Sequence, residues 1–147
     1  MQKYQLLAKG IMIESIPAVL DTNVLVSAFW SADGVPSKIV HLIPDGIFVP
    51  CYSDEILREY EEVLLRPAFN FTAEQVNELL EKYKKYGRIV SPEPSSVPLF
   101  DEADRIFYDV AKEESALLVT GNIRHFPKEN FIMLPNDFYR YVLGRQN

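Results

Sequence analysis

A chain of 147 residues, 48% hydrophobic and 24% charged, has the material for one ordinary buried core and no room for a second folded domain. Its single cysteine, Cys51, excludes an intramolecular disulfide and suits a reducing, cytoplasmic setting, and no apolar run reaches the roughly 18 to 20 residues that span a bilayer. Fifteen Lys plus Arg against 21 Asp plus Glu leave a formal net charge of −6, which argues against nonspecific phosphate binding unless acids share cations that reverse the local sign.

Residues 1–15 read as an N-terminal extension. Lys3 and Lys9 flank short apolar runs without the apolar centre of a signal peptide, and Met12 offers an alternative start. From 16 to 147 the pattern is that of one domain. Ile16 to Leu20 is a short apolar strand ending in Asp21, and Val24 to Trp30 opens a helix. Asp33, Gly34 and Pro36 mark a loop, and Ser37 is placed to cap a short helix through His41 or Leu42 before Pro44, Asp45 and Gly46 turn the chain. Ile47 to Val49 is the next strand, with Cys51 just beyond it as a small core filler.

Ser53 caps a helix whose apolar stripe is Ile56, Leu57, Tyr60, Val63 and Leu64, and Pro67 ends it. Thr72 caps another, through about Tyr86, closed by Gly87. Arg88 to Val90 is a short strand, and the prolines of Ser91 to Pro98 suit a surface loop. Asp101 begins a third helical pattern with Ala103, Ile106, Phe107, Val110 and Ala111 on its apolar face. Ala116 to Thr120 is the clearest strand, with Gly121 and Asn122 as the turn that leaves it. Phe131 to Leu134 is the last strand, and Asn136 or Asp137 caps a helix toward Gly144. Alternating strands and helices with nearly continuous apolar strands imply an α/β three-layer sandwich, a mostly parallel sheet of about five strands flanked by helices. Ligands of such sheets bind beyond the carboxyl ends of the strands, where Asp21 and Asn122 both fall.

A carboxylate directly after a buried strand is poorly explained as a solvated face, because a buried charge is costly unless paired or bound to metal. Asp21 is such a group, and Thr22 and Asn23 add oxygen donors beside it or cap the next helix. At about 100° per residue, Glu59 lies nearest the core edge among the acids of its helix. The same construction leaves Glu102 and Asp104 unresolved, and Asp101 is a natural N-cap. His41 and His125 have no acid spaced beside them as a partner. Lys82, Lys84, Lys85 and Arg88 read as a solvated face, whereas Arg124, His125 and Lys128 closely follow Asn122 and are better placed to touch a substrate. Trp30 and Tyr52 read as core.

Three blocks, in order, resemble the PIN domains, and most closely the bacterial branch described as toxin components of toxin–antitoxin systems. They are Val19 to Val26 with Asp21, Thr22 and Asn23; Ser53 to Pro67 with Glu59, Val63, Leu64, Arg66 and Pro67; and Asp101 to Arg105 followed by Ala111 and Leu118 to Asn122. The resemblance implies that Asp21, Glu59 and Asp104 hold Mg²⁺ or Mn²⁺ for RNA cleavage, and it selects Asp104 over Glu102. Thr22, Asn23 and Thr120 would support them. Many relatives carry a fourth acid where this chain has Asn122, so a second ion would lean on Asn122 or on Asp101. The implied reaction is in-line attack by water that leaves a 5′-phosphate and a 3′-hydroxyl.

The implied partners are RNA and an antitoxin protein, with a homo-oligomer left open and no membrane. Two other readings stay in view. A degenerate PIN domain would bind RNA or protein without cleaving. A haloacid dehalogenase-like phosphatase would use a strand-end aspartate as nucleophile, but it expects a second aspartate where Asn23 stands.

Overall fold

The computed structural model describes residues 4–6 and 12–145. Seven strands and six α-helices are formed among them: β1 (Tyr4–Leu6), β2 (Met12–Glu14), β3 (Ile16–Leu20), α1 (Thr22–Trp30), α2 (Val35–His41), β4 (Phe48–Tyr52), α3 (Asp54–Leu64), α4 (Ala73–Tyr86), β5 (Arg88–Ile89), α5 (Arg105–Glu113), β6 (Leu117–Val119), β7 (Ile132–Met133) and α6 (Pro135–Gly144). β1 and β2 pair antiparallel in a separate small sheet.

The main sheet has five strands in the order β5-β4-β3-β6-β7, and every pairing in it is parallel. The nearly unbroken apolar runs of β3 and β6 belong to its centre, where helices cover the strands. Helix α5 packs on β3, β4 and β6, α4 packs on β4 and β5, and α2 links α1 to α6. The interior is rich in aromatics: Phe48, Tyr60, Tyr83, Phe107, Tyr108 and Phe138 are among its largest fully buried side chains. Cys51 is buried on β4 with its thiol pushed up to about 12 by desolvation, which makes it an inert filler.

Local signals placed most boundaries. The Ser53 hydroxyl accepts from the Ile56 amide at 3.2 Å, and Thr72 forms a full capping box with Gln75. A side chain at Gly87 would come within 2.5 Å of the Pro50 and Tyr83 carbonyl oxygens, so the turn from α4 into β5 requires glycine there.

Five expectations need correction. Helix α2 starts at Val35 behind Gly34, not behind Ser37, and α6 starts at Pro135 behind Leu134, not behind Asn136 or Asp137. In both, proline occupies the first turn, where its missing N–H needs no partner. Strand β4 runs on through Pro50 to Tyr52, past the expected end at Val49. The segment after Asp101 opens as a 3₁₀ turn over Glu102–Asp104 and becomes α-helical only at Arg105. Trp30 is 65% exposed, lying edge-on to Phe69 and Phe71 at the end of α1 and not in the core. Tyr52, by contrast, is buried.

Candidate active site

The chain builds β3, β4 and β5 outward in one direction and then returns to lay β6 on the other side of β3. The carboxyl ends of β3 and β6 therefore form the point where the winding reverses, the usual crevice of an open parallel sheet. Asp21 continues β3 into it, its amide donating to the Val119 carbonyl at 2.9 Å. Thr120, the next residue of the neighbouring strand, donates its hydroxyl to Asp21 Oδ2 at 2.7 Å and accepts the Asn122 amide at 3.0 Å. Asp21 stands at the N-cap position of α1, but its side chain makes no capping hydrogen bond. Asp21 as a whole is 7% exposed. Burial pushes its pKa upward, against the pull of the Thr120 hydroxyl and the Thr22 amide.

Helix α3 brings the second acid. Glu59 is half-buried while Glu55, Glu61 and Glu62 are exposed, and Glu62 pairs with Arg66 at 3.2 Å. Thr22 donates its hydroxyl to Glu59 Oε2 at 3.4 Å. Desolvation, then the neighbouring Glu62 and also Asp21, raise the Glu59 pKa, while the Thr22 hydroxyl and Arg66 oppose the rise. The helix is fastened one residue further on. Buried Tyr60 donates its hydroxyl to the Leu20 carbonyl at 2.5 Å and meets the Tyr83 hydroxyl at 3.3 Å, so residues adjacent to Glu59 and Asp21 are bonded to each other.

The third acid is Asp104, on the 3₁₀ turn. Its side chain is 16% exposed, against 70% for Glu102. The azimuths of an α-helical wheel, on which the two acids lie equally far from the apolar stripe, do not apply to a 3₁₀ turn. Glu102 faces outward and engages the Arg105 guanidinium at 2.7 and 2.8 Å. Asp104 is pushed up to about 6 by burial and by the charges of Asp21 and Asp101, with His125 opposing. His125 Nδ1 stands 3.7 Å from Asp104 Oδ2. That oxygen and Asn23 Oδ1 are buried without a hydrogen-bond partner.

The other candidates divide. The Asp101 side chain accepts the Ala103 amide at 3.0 Å and so caps its turn. Asn122, Arg124 and Lys128 are exposed, and Asn122 contributes its backbone to Thr120. His41 is held by the Ser37 carbonyl at 2.7 Å. Arg88 pairs with Glu114 at 2.9 Å in a half-buried bridge, unlike the solvated face expected of it. Sequence reasoning gave His125 only a weak role and missed Phe100 and the Tyr60 hydroxyl. Their partners lie 21, 25 and 40 positions away in the chain, beyond the reach of any periodicity.

A family model described as PIN domain matches residues 17–124. The chain belongs to the PIN domain family. An uncharacterized protein of Methanocaldococcus jannaschii is 32% identical over 110 residues, covering 73% of this chain and 71% of the other.

Membership places the chain in a family of nucleases that typically use divalent metals, so the fit of its residues to such an ion can be tested. Among the described residues no three His, Cys, Asp or Glu side chains form a ready metal-holding group. The chemistry nevertheless suits a hard cation: the donors are oxygens, two buried polar oxygens lack partners, all three carboxylates are raised by burial, and Glu59 and Asp104 are raised by neighbouring negative charge as well. This PIN domain thus has the donor set, with side-chain closure still to be made. Among the described residues no helix is long and apolar enough to cross a membrane.

Proposed function

We propose that this PIN domain is a metal-dependent endoribonuclease in which Asp21, Glu59 and Asp104 hold Mg²⁺ or Mn²⁺. The reading is carried by one observation: three partly or wholly buried carboxylates at the reversal point of the sheet, each with a raised pKa. A bound cation supplies charge neutralisation for the phosphate and lowers the pKa of a water ligand. The chain's own residues do the rest. Thr120 fixes the plane of the Asp21 carboxylate, Thr22 steers Glu59, and the Tyr60 anchor sets the spacing between α3 and β3. Arg124, His125 and Lys128 lie on the segment leaving β6, where the two cations Arg124 and Lys128 can meet the substrate backbone despite the net charge of −6. Water adds across the P–O bond, leaving a 5′-phosphate and a 3′-hydroxyl.

Residues 16–147 constitute the nuclease domain in this reading, acting in the cytoplasm. Similarity to bacterial toxin components extends the reading to a toxin whose antitoxin covers the acidic crevice, with self-association of the chain as a further element. The neutral Asn122 favours a second reading, an inactive domain that binds RNA. Incubating a mixed RNA pool with wild type and Asp21→Asn, with Mn²⁺ and with chelator, separates the two. Cleavage by wild type in Mn²⁺ alone is expected. Equal cleavage by Asp21→Asn, or undiminished cleavage after exhaustive chelation, refutes the assignment.

A further inference from the structure

Phe100 is 81% exposed, the most exposed large apolar side chain among the described residues. Isolated apolar groups on a surface are ordinary, but this one is displayed in a particular way. The loop that carries it is fastened on both sides. Before it, Arg105 donates to the Ser95 carbonyl at 2.7 Å and to the Val97 carbonyl at 2.7 Å, and buried Asp109 accepts the Ser95 amide at 3.1 Å. Immediately after it, Asp101 caps the 3₁₀ turn that bears Asp104. A loop held this firmly could have turned an apolar ring inward, yet it projects the ring into solvent.

Trp30, the other highly exposed ring, lies against Phe69 and Phe71; the Phe100 ring meets a different kind of group. Its partner is the imidazole of His125, at a centroid distance of 5.2 Å and an interplanar angle of 31°. The same imidazole stands 3.7 Å from the Asp104 carboxylate. Phe100 and His125 therefore form a tilted aromatic pair whose inner edge touches the acidic crevice and whose outer member is open to water. Arg124, exposed in the same short turn as His125, adds a cation beside it.

We propose that Phe100, backed by His125, is a stacking platform for a nucleobase of single-stranded RNA next to the bond that is cleaved. The proposal rests on the ribonuclease reading of the crevice and adds to it the part of the substrate that is held. A base inside a duplex has both faces covered, so only an unpaired base can lie on the ring. Stacking tolerates every base because each has a π-face, so the platform confers selectivity for unpaired RNA with little sequence preference.

The test uses the full chain with Mn²⁺ and synthetic single-stranded RNA, both intact and with one abasic nucleotide placed in turn at each side of the cleaved bond. On intact RNA, Phe100→Ala and Phe100→Leu are expected to lower kcat/KM by about 5- to 150-fold, the range of one lost base stack, while Phe100→Trp stays near wild type. On the RNA lacking the stacked base, wild type and Phe100→Ala should cleave at equal rates. Unchanged melting temperatures verify that the exposed position leaves folding intact. If wild type cleaves and all three variants match it on intact RNA, the platform is overturned while the ribonuclease assignment stands. If Phe100→Ala cleaves normally but loses a protein that co-purifies with wild type, the ring serves a protein partner and the platform is equally overturned. If wild type itself neither binds nor cleaves RNA, both readings fall together.

Discussion

Replacing Asp104 with asparagine should stabilise the metal-free protein. The folded chain holds this carboxyl at about 6 against an ordinary 3.8, a gap equivalent to about 3 kcal/mol at full strength. Solvent that reaches the crevice reduces the effect to about 1–2 kcal/mol. Below about pH 4 the group is protonated in both states and contributes nothing. Between about pH 4 and 6 the folded state keeps a proton that the unfolded chain releases, so stability falls as pH rises; above about 6 the penalty is complete and level. In chelator at pH 8, Asp104→Asn should therefore melt about 3–6 °C above wild type, and the difference should close near pH 4. Mn²⁺ should reverse the order, because an ion at 100 times its Kd adds about 2.7 kcal/mol to a protein that binds it, and the variant lacks one of the proposed ligands. Thermal melts of both proteins at pH 4 and pH 8, with chelator and with Mn²⁺, provide the measurement. A variant less stable than wild type at pH 8 in chelator, or a difference that does not change between the two pH values, would refute the electrostatic account of Asp104.

Glu59→Gln should abolish RNA cleavage with little change in folding, while Glu55→Gln and Glu62→Gln retain it, since those two side chains are exposed; a comparison of rates under saturating Mn²⁺ checks this, and equal loss in all three would indicate general electrostatics. Asn122→Asp should tighten Mn²⁺ binding by adding a charge beside Thr120 and Asp21, and unchanged affinity in calorimetry would place residue 122 outside the reach of the ions.

Much of the architecture was legible because parallel strands buried on both faces leave continuous apolar runs, and because Ser53 and Thr72 announce their helices through hydrogen bonds only three residues long. Asp21 was legible for a related reason: a carboxylate closing such a run has nowhere polar to go. The misplaced helix starts share one cause. Pro36 was read as marking a loop, and the last helix was started at Asn136 or Asp137 without its Pro135, although a proline in the first turn satisfies the same steric rule as one in a loop. Glu102 and Asp104 lie equally far from the apolar stripe on a 100° wheel, and the wheel does not describe a turn that is 3₁₀. His125 near Asp104, and Phe100 against His125, are contacts between separate loops that only the folded sheet brings together.

The Tyr60 hydroxyl bond gives the core a hold over the chemistry. Tyr60 follows Glu59, and Leu20, whose carbonyl it grips, precedes Asp21, so the two acids are carried on backbones linked through a fully buried ring. If the acids close on an ion as proposed, that movement is left to side-chain rotation, since α3 cannot slide along β3 without breaking a buried bond. It also means that inheritance of the spacing between the two acids travels through a residue that a mutational survey would score as packing alone. Anyone transplanting α3 into another scaffold, or redesigning the aromatic interior around Tyr83, would be editing the distance between Glu59 and Asp21 without touching either.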